Sequence, residues 1–203
     1  MNILFLIEKS NSNLKSYIDT LSKFKEDKII IKSDGLTEKF LIDNNIKIIL
    51  KDRYKFASSL ESCNLDLNNI SYFHFHPGYL PYNMKMDSNL WSIINDNPKG
   101  ATIIRMFDLN WKKFDIISRQ EIFYSDNDTL STSFEKCCMI FKKILDENWD
   151  KMRHLTYQKI EFNKKDGKIF DGSEKKNFLE ILEKGYDTNV KEIKDLWNKF
   201  KSH

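Results

Sequence analysis

A chain of 203 residues with 40% hydrophobic and 31% charged residues can bury a substantial core, and its composition excludes a disordered or fibrous protein. The net charge is only +3, with Lys and Asp/Glu interspersed along the chain, so it offers none of the basic surface that a nucleic-acid partner demands. Cys63, Cys137 and Cys138 show no CxxC spacing and form no even set, which argues against a disulfide framework or a cysteine zinc site and for a reducing, cytoplasmic setting.

From the N-terminus, Ile3 to Ile7 is a continuous apolar run. It is too short for a signal sequence or a membrane span, so neither export nor membrane crossing is expected, and it predicts a strand buried on both faces. Ser10 to Asn13 is a loop of capping residues, and Leu14, Tyr17, Ile18 and Leu21 recur behind it at helical spacing. Ile29 to Ile31 predicts a second strand, Leu36 to Asp43 a short helix and Ile46 to Leu50 a third strand. This β-α-β-α-β alternation implies a Rossmann-like, mostly parallel sheet in the α/β class, with helices on both faces. The loop after the first strand lacks the GxGxxG glycines of a dinucleotide site, which argues against NAD chemistry.

The stretch Phe73-His74-Phe75-His76-Pro77-Gly78-Tyr79-Leu80-Pro81 carries the strongest chemical signal. Read as a strand, it directs His74 and His76 to one face at the strand's exit, because side chains alternate with period two. Proline then stops the strand, having no N–H for the ladder, and Gly78 suits a turn. A histidine taken singly is as readily a core residue bonded to backbone, but two on one face point to a site. The pair has no third ligand nearby in sequence, so no metal is expected.

A helix is predicted from Asp87 or Ser88 to Asn97-Pro98, carrying Leu90, Ile93 and Ile94. Two more strands follow, Ala101 to Phe107 and Asp115 to Tyr124, separated by the polar bridge Asp108 to Lys113. That bridge lies near the ligand-binding edge if it sits at the strands' C-terminal ends. A long helix from Thr129 to Asp146 places Phe134, Cys138, Phe141 and Leu145 on one face, which reads the cysteines as core. The tail carries a β segment, Lys159 to Phe162, and two helices, one ended by Gly185 and the next capped by Thr188. The organisation expected is a main domain over residues 1–155 with a short extension, 156–203, packed on it. Apolar faces of the tail helices suit either that packing or a homodimer.

The order of buried strand, H-P-G-Y-L-P, helix ending at proline-glycine, T-I-I strand, D-I-I-S-R-Q-E-I and D-T-L resembles the formyltetrahydrofolate-dependent formyltransferases. Gly78 to Asn83, Asp128-Thr129-Leu130 and Gly185 to Val190 suit their sugar N-formyltransferases, which act on nucleotide-linked 4-amino sugars. Ser10 to Leu14 is weakly similar to the phosphate loop of glycinamide ribonucleotide formyltransferases. The methionyl-tRNA formyltransferases are similar too, but carry a further C-terminal domain.

The resemblance implies 10-formyltetrahydrofolate as co-substrate, no metal, and a nucleotide-linked amino sugar as acceptor. It also implies a site made of an Asn and a His two apart on a strand end and an Asp from the facing loop. The family His corresponds to His76, and the Asn position holds His74. Alignment on Asp115 puts Lys112 at the Asp position, whereas alignment on Gly100 puts Trp111 there, and neither is a carboxylate. His74 as an oxyanion donor, Asp108 or Asp115 as a base, and Lys112 as a stabilising cation are the available substitutes. The cofactor-facing candidates are Gly78, Tyr79, Leu80 and Pro81, with Tyr54 after the third strand and Trp111 as a stacking ring; a loop tryptophan is more often a packing cap.

Overall fold

The computed structural model describes residues 1–7, 14–33, 36–52, 67–84, 87–167 and 178–201. Its strands are β1 (Asn2–Leu6), β2 (Lys28–Lys32), β3 (Ile46–Asp52), β4 (Ser71–His76), β5 (Gly100–Met106) and β6 (Phe114–Glu121). The helices are α1 (Leu14–Leu21), α2 (Glu38–Asp43), α3 (Ser88–Ile94), α4 (Leu130–His154) and α5 (Val190–Lys201). One six-stranded sheet runs in the order β2-β1-β3-β4-β5-β6, with β1 parallel to β2 and β3, and β3 parallel to β4. The α/β class expected from the alternation of elements is the class observed.

The chain divides into two compact units. The first comprises 1–76, 103–118 and 141–160; the second comprises 77–102, 119–140 and 161–203.

In the first unit, Ile3 to Ile7 are completely buried, as a strand covered on both faces requires. Phe5 and Phe75 share a face with the rings of Tyr17 and Phe141, Phe75 stacking on Phe141 with centroids 5.5 Å apart. This aromatic layer sets the parity of β4: since Phe75 lies in it and Phe73, also fully buried, shares its face by alternation, His74 and His76 must leave on the other face. Edge strand β2 is more exposed, with a lysine at either end, a usual protection of an open ladder.

Strands β5 and β6 form an antiparallel hairpin. Phe107 N–H donates to the Lys113 carbonyl at one end, and Ile122 N–H donates to the Lys99 carbonyl at the other. The partners run in opposite directions, as an antiparallel ladder requires. At Gly100 a Cβ would fall inside contact distance of the Gln120 carbonyl, so only glycine allows that approach. Gly100→Ala is expected to lower unfolding stability by more than about 2 kcal/mol, measured as a fall in the urea midpoint.

Helix α4 runs eight residues beyond the Asp146 expected from sequence. The polar run Asp146-Glu147-Asn148 reads as a terminus, but Leu145, Trp149 and Met152 continue the buried stripe at helical spacing, and Lys151, Arg153 and His154 complement the C-terminal dipole. Arg153 then reaches Asp27, its Nε 2.6 Å from Oδ2.

In the tail, the expected β segment is a single antiparallel bridge, Ile160 to Ile116. The second unit's core joins Leu90, Trp91 and Ile93 to Phe178, Val190, Ile193 and Trp197. The cap of α5 is Asn189, whose Oδ1 accepts from Glu192 N–H at 2.8 Å. Thr188, one residue earlier than a cap, instead donates its hydroxyl to the Gly185 carbonyl.

Candidate active site

The end of β4 delivers both histidines to one place. Their rings lie 6.1 Å apart, and Trp111 sits against both, 5.5 Å from His74 and 5.1 Å from His76. Phe114, first residue of β6, packs edge-on against the indole at 5.8 Å. His76 is buried; His74 is half-buried, with its Nδ1 closed off from solvent and making no hydrogen bond among the described residues. Lys51 of β3 is in register with His74. Burial, then the Lys51 cation, then His76, hold the His74 imidazole well below its ordinary pKa. It is therefore neutral near pH 7, with one N–H to donate and one nitrogen to accept.

The loop between β5 and β6 is tied by Asp108. Its carboxylate accepts from the backbone N–H groups of Asn110 at 2.8 Å, Lys112 at 3.0 Å and Lys113 at 2.5 Å. Those bonds curl the loop so that Trp111, at φ +64°, presents its indole to the histidines while Lys112 is exposed. Trp111 is thus the loop residue whose ring meets both histidines.

Asp115 follows Phe114 in an extended strand and so takes the other face. There it accepts from Tyr157 Oη at 3.3 Å, and Tyr157 in turn accepts from Arg105 Nη1 at 3.5 Å. Burial raises the Tyr157 phenol above its ordinary value, keeping it protonated as a donor. The structure thus brings together His74, His76 and Trp111, sets Asp108 beneath the loop, and engages Asp115 with Tyr157.

The cofactor-facing candidates Gly78, Tyr79, Leu80 and Pro81 belong to the second unit. Thr102 Oγ1 donates to the Gly78 carbonyl at 2.6 Å and accepts from Leu80 N–H at 3.2 Å, which pins this turn to β5. Arg119 lies over the Tyr79 ring at 4.6 Å and donates to the Leu80 carbonyl. Tyr54 and the Ser10 to Asn13 loop lie outside the described residues. Sequence reading passed over Lys51, Phe114, Thr102 and Arg119. The one available signal was parity: Lys51 lies near the exit of its own strand, and Phe114 begins the strand that follows the bridge.

Among the described residues no group of three His, Cys, Asp or Glu side chains is placed to hold a metal, and no helix is long and apolar enough to cross a membrane. No family model matches the chain. Solved structures do. The formyltransferase PseJ from Anoxybacillus kamchatkensis, in complex with UDP-4,6-dideoxy-4-formamido-L-AltNAc and tetrahydrofolate, is 28% identical, with 95% of this chain and 97% of that one covered and a TM-score of 0.72. A sugar N-formyltransferase from a Shewanella species is 20% identical, covering 97% of this chain and 86% of its own, with a TM-score of 0.71. The methionyl-tRNA formyltransferase from Clostridium thermocellum, 18% identical over 92% and 86% of the two chains, shares the fold at a TM-score of 0.60. Over nearly its whole length the chain has the fold of the formyltetrahydrofolate-dependent formyltransferases, with sugar N-formyltransferases among the structures it matches.

Proposed function

We propose that this protein transfers a formyl group from 10-formyltetrahydrofolate, as co-substrate, to the amine of a nucleotide-linked amino sugar, a reaction of surface-glycan synthesis carried out in the cytoplasm. The observation that carries the reading is the His74–His76 pair at the end of β4, in a chain 28% identical to a sugar formyltransferase along nearly all of both sequences. Transfer makes a bond from the amine nitrogen to the formyl carbon and breaks the bond from that carbon to the folate nitrogen. The amine loses a proton and the folate nitrogen gains one, so the site must carry a proton and accommodate a transient oxyanion.

The residues present fit those two demands. His74 is neutral and has a buried nitrogen without a hydrogen bond among the described residues, so its N–H is available to the oxyanion where the family uses an amide. His76, 1% exposed, receives the amine proton and passes it on. Burial strengthens both interactions by excluding water. Gly78 to Pro81 and Tyr54 are assigned to the folate side, and Lys112, exposed on the loop, to the anionic substrate. A homodimer and an absence of nucleic-acid or membrane partners complete the reading.

The test is incubation with 10-formyltetrahydrofolate and UDP-linked 4-amino sugars, with mass spectrometry of the product. A mass gain of one formyl group supports the reading; no gain, while a sugar N-formyltransferase turns over in parallel, defeats it. The commitment of Asp108 to its loop and of Asp115 to Tyr157 favours a second reading, a homologue that binds the same ligands without turnover. Calorimetry with tetrahydrofolate and the nucleotide sugar in the inactive case separates the two: binding selects the homologue, and no binding removes both.

A further inference from the structure

We propose that Thr102 and Arg119 are positioning residues for the folate co-substrate: from β5 and β6 they fix the backbone of the turn at Gly78 to Leu80, and with it the attitude of the Tyr79 ring. The inference rests on the formyl-transfer reading, which assigns Gly78 to Pro81 to the folate side. Neither side chain carries the proton or meets the oxyanion in that reading; each acts through the turn.

Four consecutive carbonyls of this segment are each taken by a donor. Pro77 accepts from the Ser88 hydroxyl at 2.5 Å, Gly78 from Thr102 Oγ1 at 2.6 Å, Tyr79 from the Tyr82 N–H at 3.1 Å and Leu80 from the Arg119 guanidinium. The Thr102 hydroxyl also accepts from Leu80 N–H at 3.2 Å. A single oxygen therefore ties the residues on either side of Tyr79, which makes Tyr79 the apex of the turn. Arg119 holds the same residue by its ring: the guanidinium lies over the Tyr79 centroid at 4.6 Å while it donates to the next carbonyl. One planar cation thereby fixes both the ring and the peptide that follows it, which the fork of arginine allows and the point charge of lysine does not.

The residue types at both positions suit that role. Thr102 is completely buried in a strand that is otherwise apolar at Ala101, Ile103 and Ile104. Valine has nearly the same shape and would pack there without a polar atom, whereas a buried hydroxyl is tolerated only when it is paired. The two bonds to the turn account for the threonine. Arg119 is half-buried, so its bond to the Leu80 carbonyl is partly shielded from water, where a charge-assisted hydrogen bond is stronger. A turn held in this way presents its backbone and the half-exposed Tyr79 ring in one arrangement before a ligand arrives, and little ordering entropy is then lost on binding. Releasing either tie frees the apex, and the loss falls on the affinity for the ligand that the turn receives.

The test is calorimetry of the full chain with tetrahydrofolate, alongside the KM values for 10-formyltetrahydrofolate and for a UDP-linked 4-amino sugar. Thr102→Val keeps the shape and removes both bonds, and is expected to weaken tetrahydrofolate binding about ten-fold. Thr102→Ser retains the hydroxyl and is expected to stay within about two-fold of wild type. Arg119→Lys keeps the charge but loses the fork, and is expected to weaken binding about five-fold. In both weakened variants KM for 10-formyltetrahydrofolate rises in step, while KM for the nucleotide sugar and kcat stay within about two-fold. A merely structural side chain would lower the urea midpoint without that split. Tetrahydrofolate affinity within about two-fold of wild type in either folded variant, or an equal loss of nucleotide-sugar affinity, overturns the proposal, and Arg119→Lys decides alone if Thr102→Val does not fold. Wild-type protein that binds no tetrahydrofolate removes the formyl-transfer reading itself. Wild-type protein that binds it while the variants bind equally well removes only the role of Thr102 and Arg119.

Discussion

Replacing His76 with asparagine is expected to reduce kcat for formyl transfer by about a hundred-fold to ten-thousand-fold, the usual cost of removing a positioned acid–base group, with the circular dichroism spectrum unchanged. Asparagine keeps polar atoms at a site that is 1% exposed, so folding is preserved while the proton carrier is gone. The companion substitutions locate the oxyanion donor. His74→Ala removes the neutral N–H and is expected to cost about a hundred-fold. His74→Asn restores a donor of similar reach and is expected to recover most of that loss. A kcat for His76→Asn within a few-fold of wild type would show that the proton leaves by another route and that β4 ends in a structural pair.

Lys99→Met is expected to stabilise the fold near neutral pH and to remove a rise in stability between about pH 8 and pH 10.5. Lys99 is 2% exposed, its Nζ has no hydrogen-bond partner among the described residues, and it lies over the Tyr124 ring at 4.7 Å. Burial dominates the fields of its neighbours and lowers its pKa from 10.5 to about 8. Since the folded pKa is depressed for a basic group, the unfolded chain holds the proton more tightly than the folded chain. Below pH 8 both states are protonated and the folded state bears the full cost of the buried charge. Across the window the unfolded state binds more protons, so stability climbs with pH until both are neutral. The shift corresponds to a climb on the order of 3 kcal/mol, and methionine fills a similar volume without it. Urea unfolding of both proteins at pH 7, 8, 9 and 10 provides the check through their difference, because other titrations cancel. Parallel curves for wild type and variant would mean that the ammonium is solvated. Lys99 also perturbs its neighbour: Cys137 is pushed up to about 12 by burial, against the pull of the lysine, and so remains an unreactive thiol.

The two substitutions act on different layers of what the sequence made legible. His76 was readable because β4 alternates. Phe73 and Phe75 are apolar partners of one core, and with period two the histidines between and after them must share the other face. Lys99 was not readable, since a lysine beside a proline and a glycine reads as a solvated turn. Only the pairing of Ile122 N–H with its carbonyl closes Lys99 under the end of the hairpin. The extent of α4 divides in the same manner: its apolar stripe is local information, but that Asp146 does not end it depends on Trp149 and Met152 finding a core to enter.

By itself the sequence determined the order of the six sheet strands and of the helices between them, the buried character of Ile3 to Ile7 and the shared face of His74 and His76, because each follows from short-range periodicity in a chain of fixed geometry. Tertiary structure alone decided what stands opposite those histidines. Lys112 and Trp111 are adjacent, and no spacing rule separates them. The choice is made by three backbone bonds to Asp108 that curl the loop, and by the alternation that turns Asp115 away towards Tyr157. A one-residue difference in a loop changes which side chain faces inward, and that depends on which distant groups are present to hold the backbone in place.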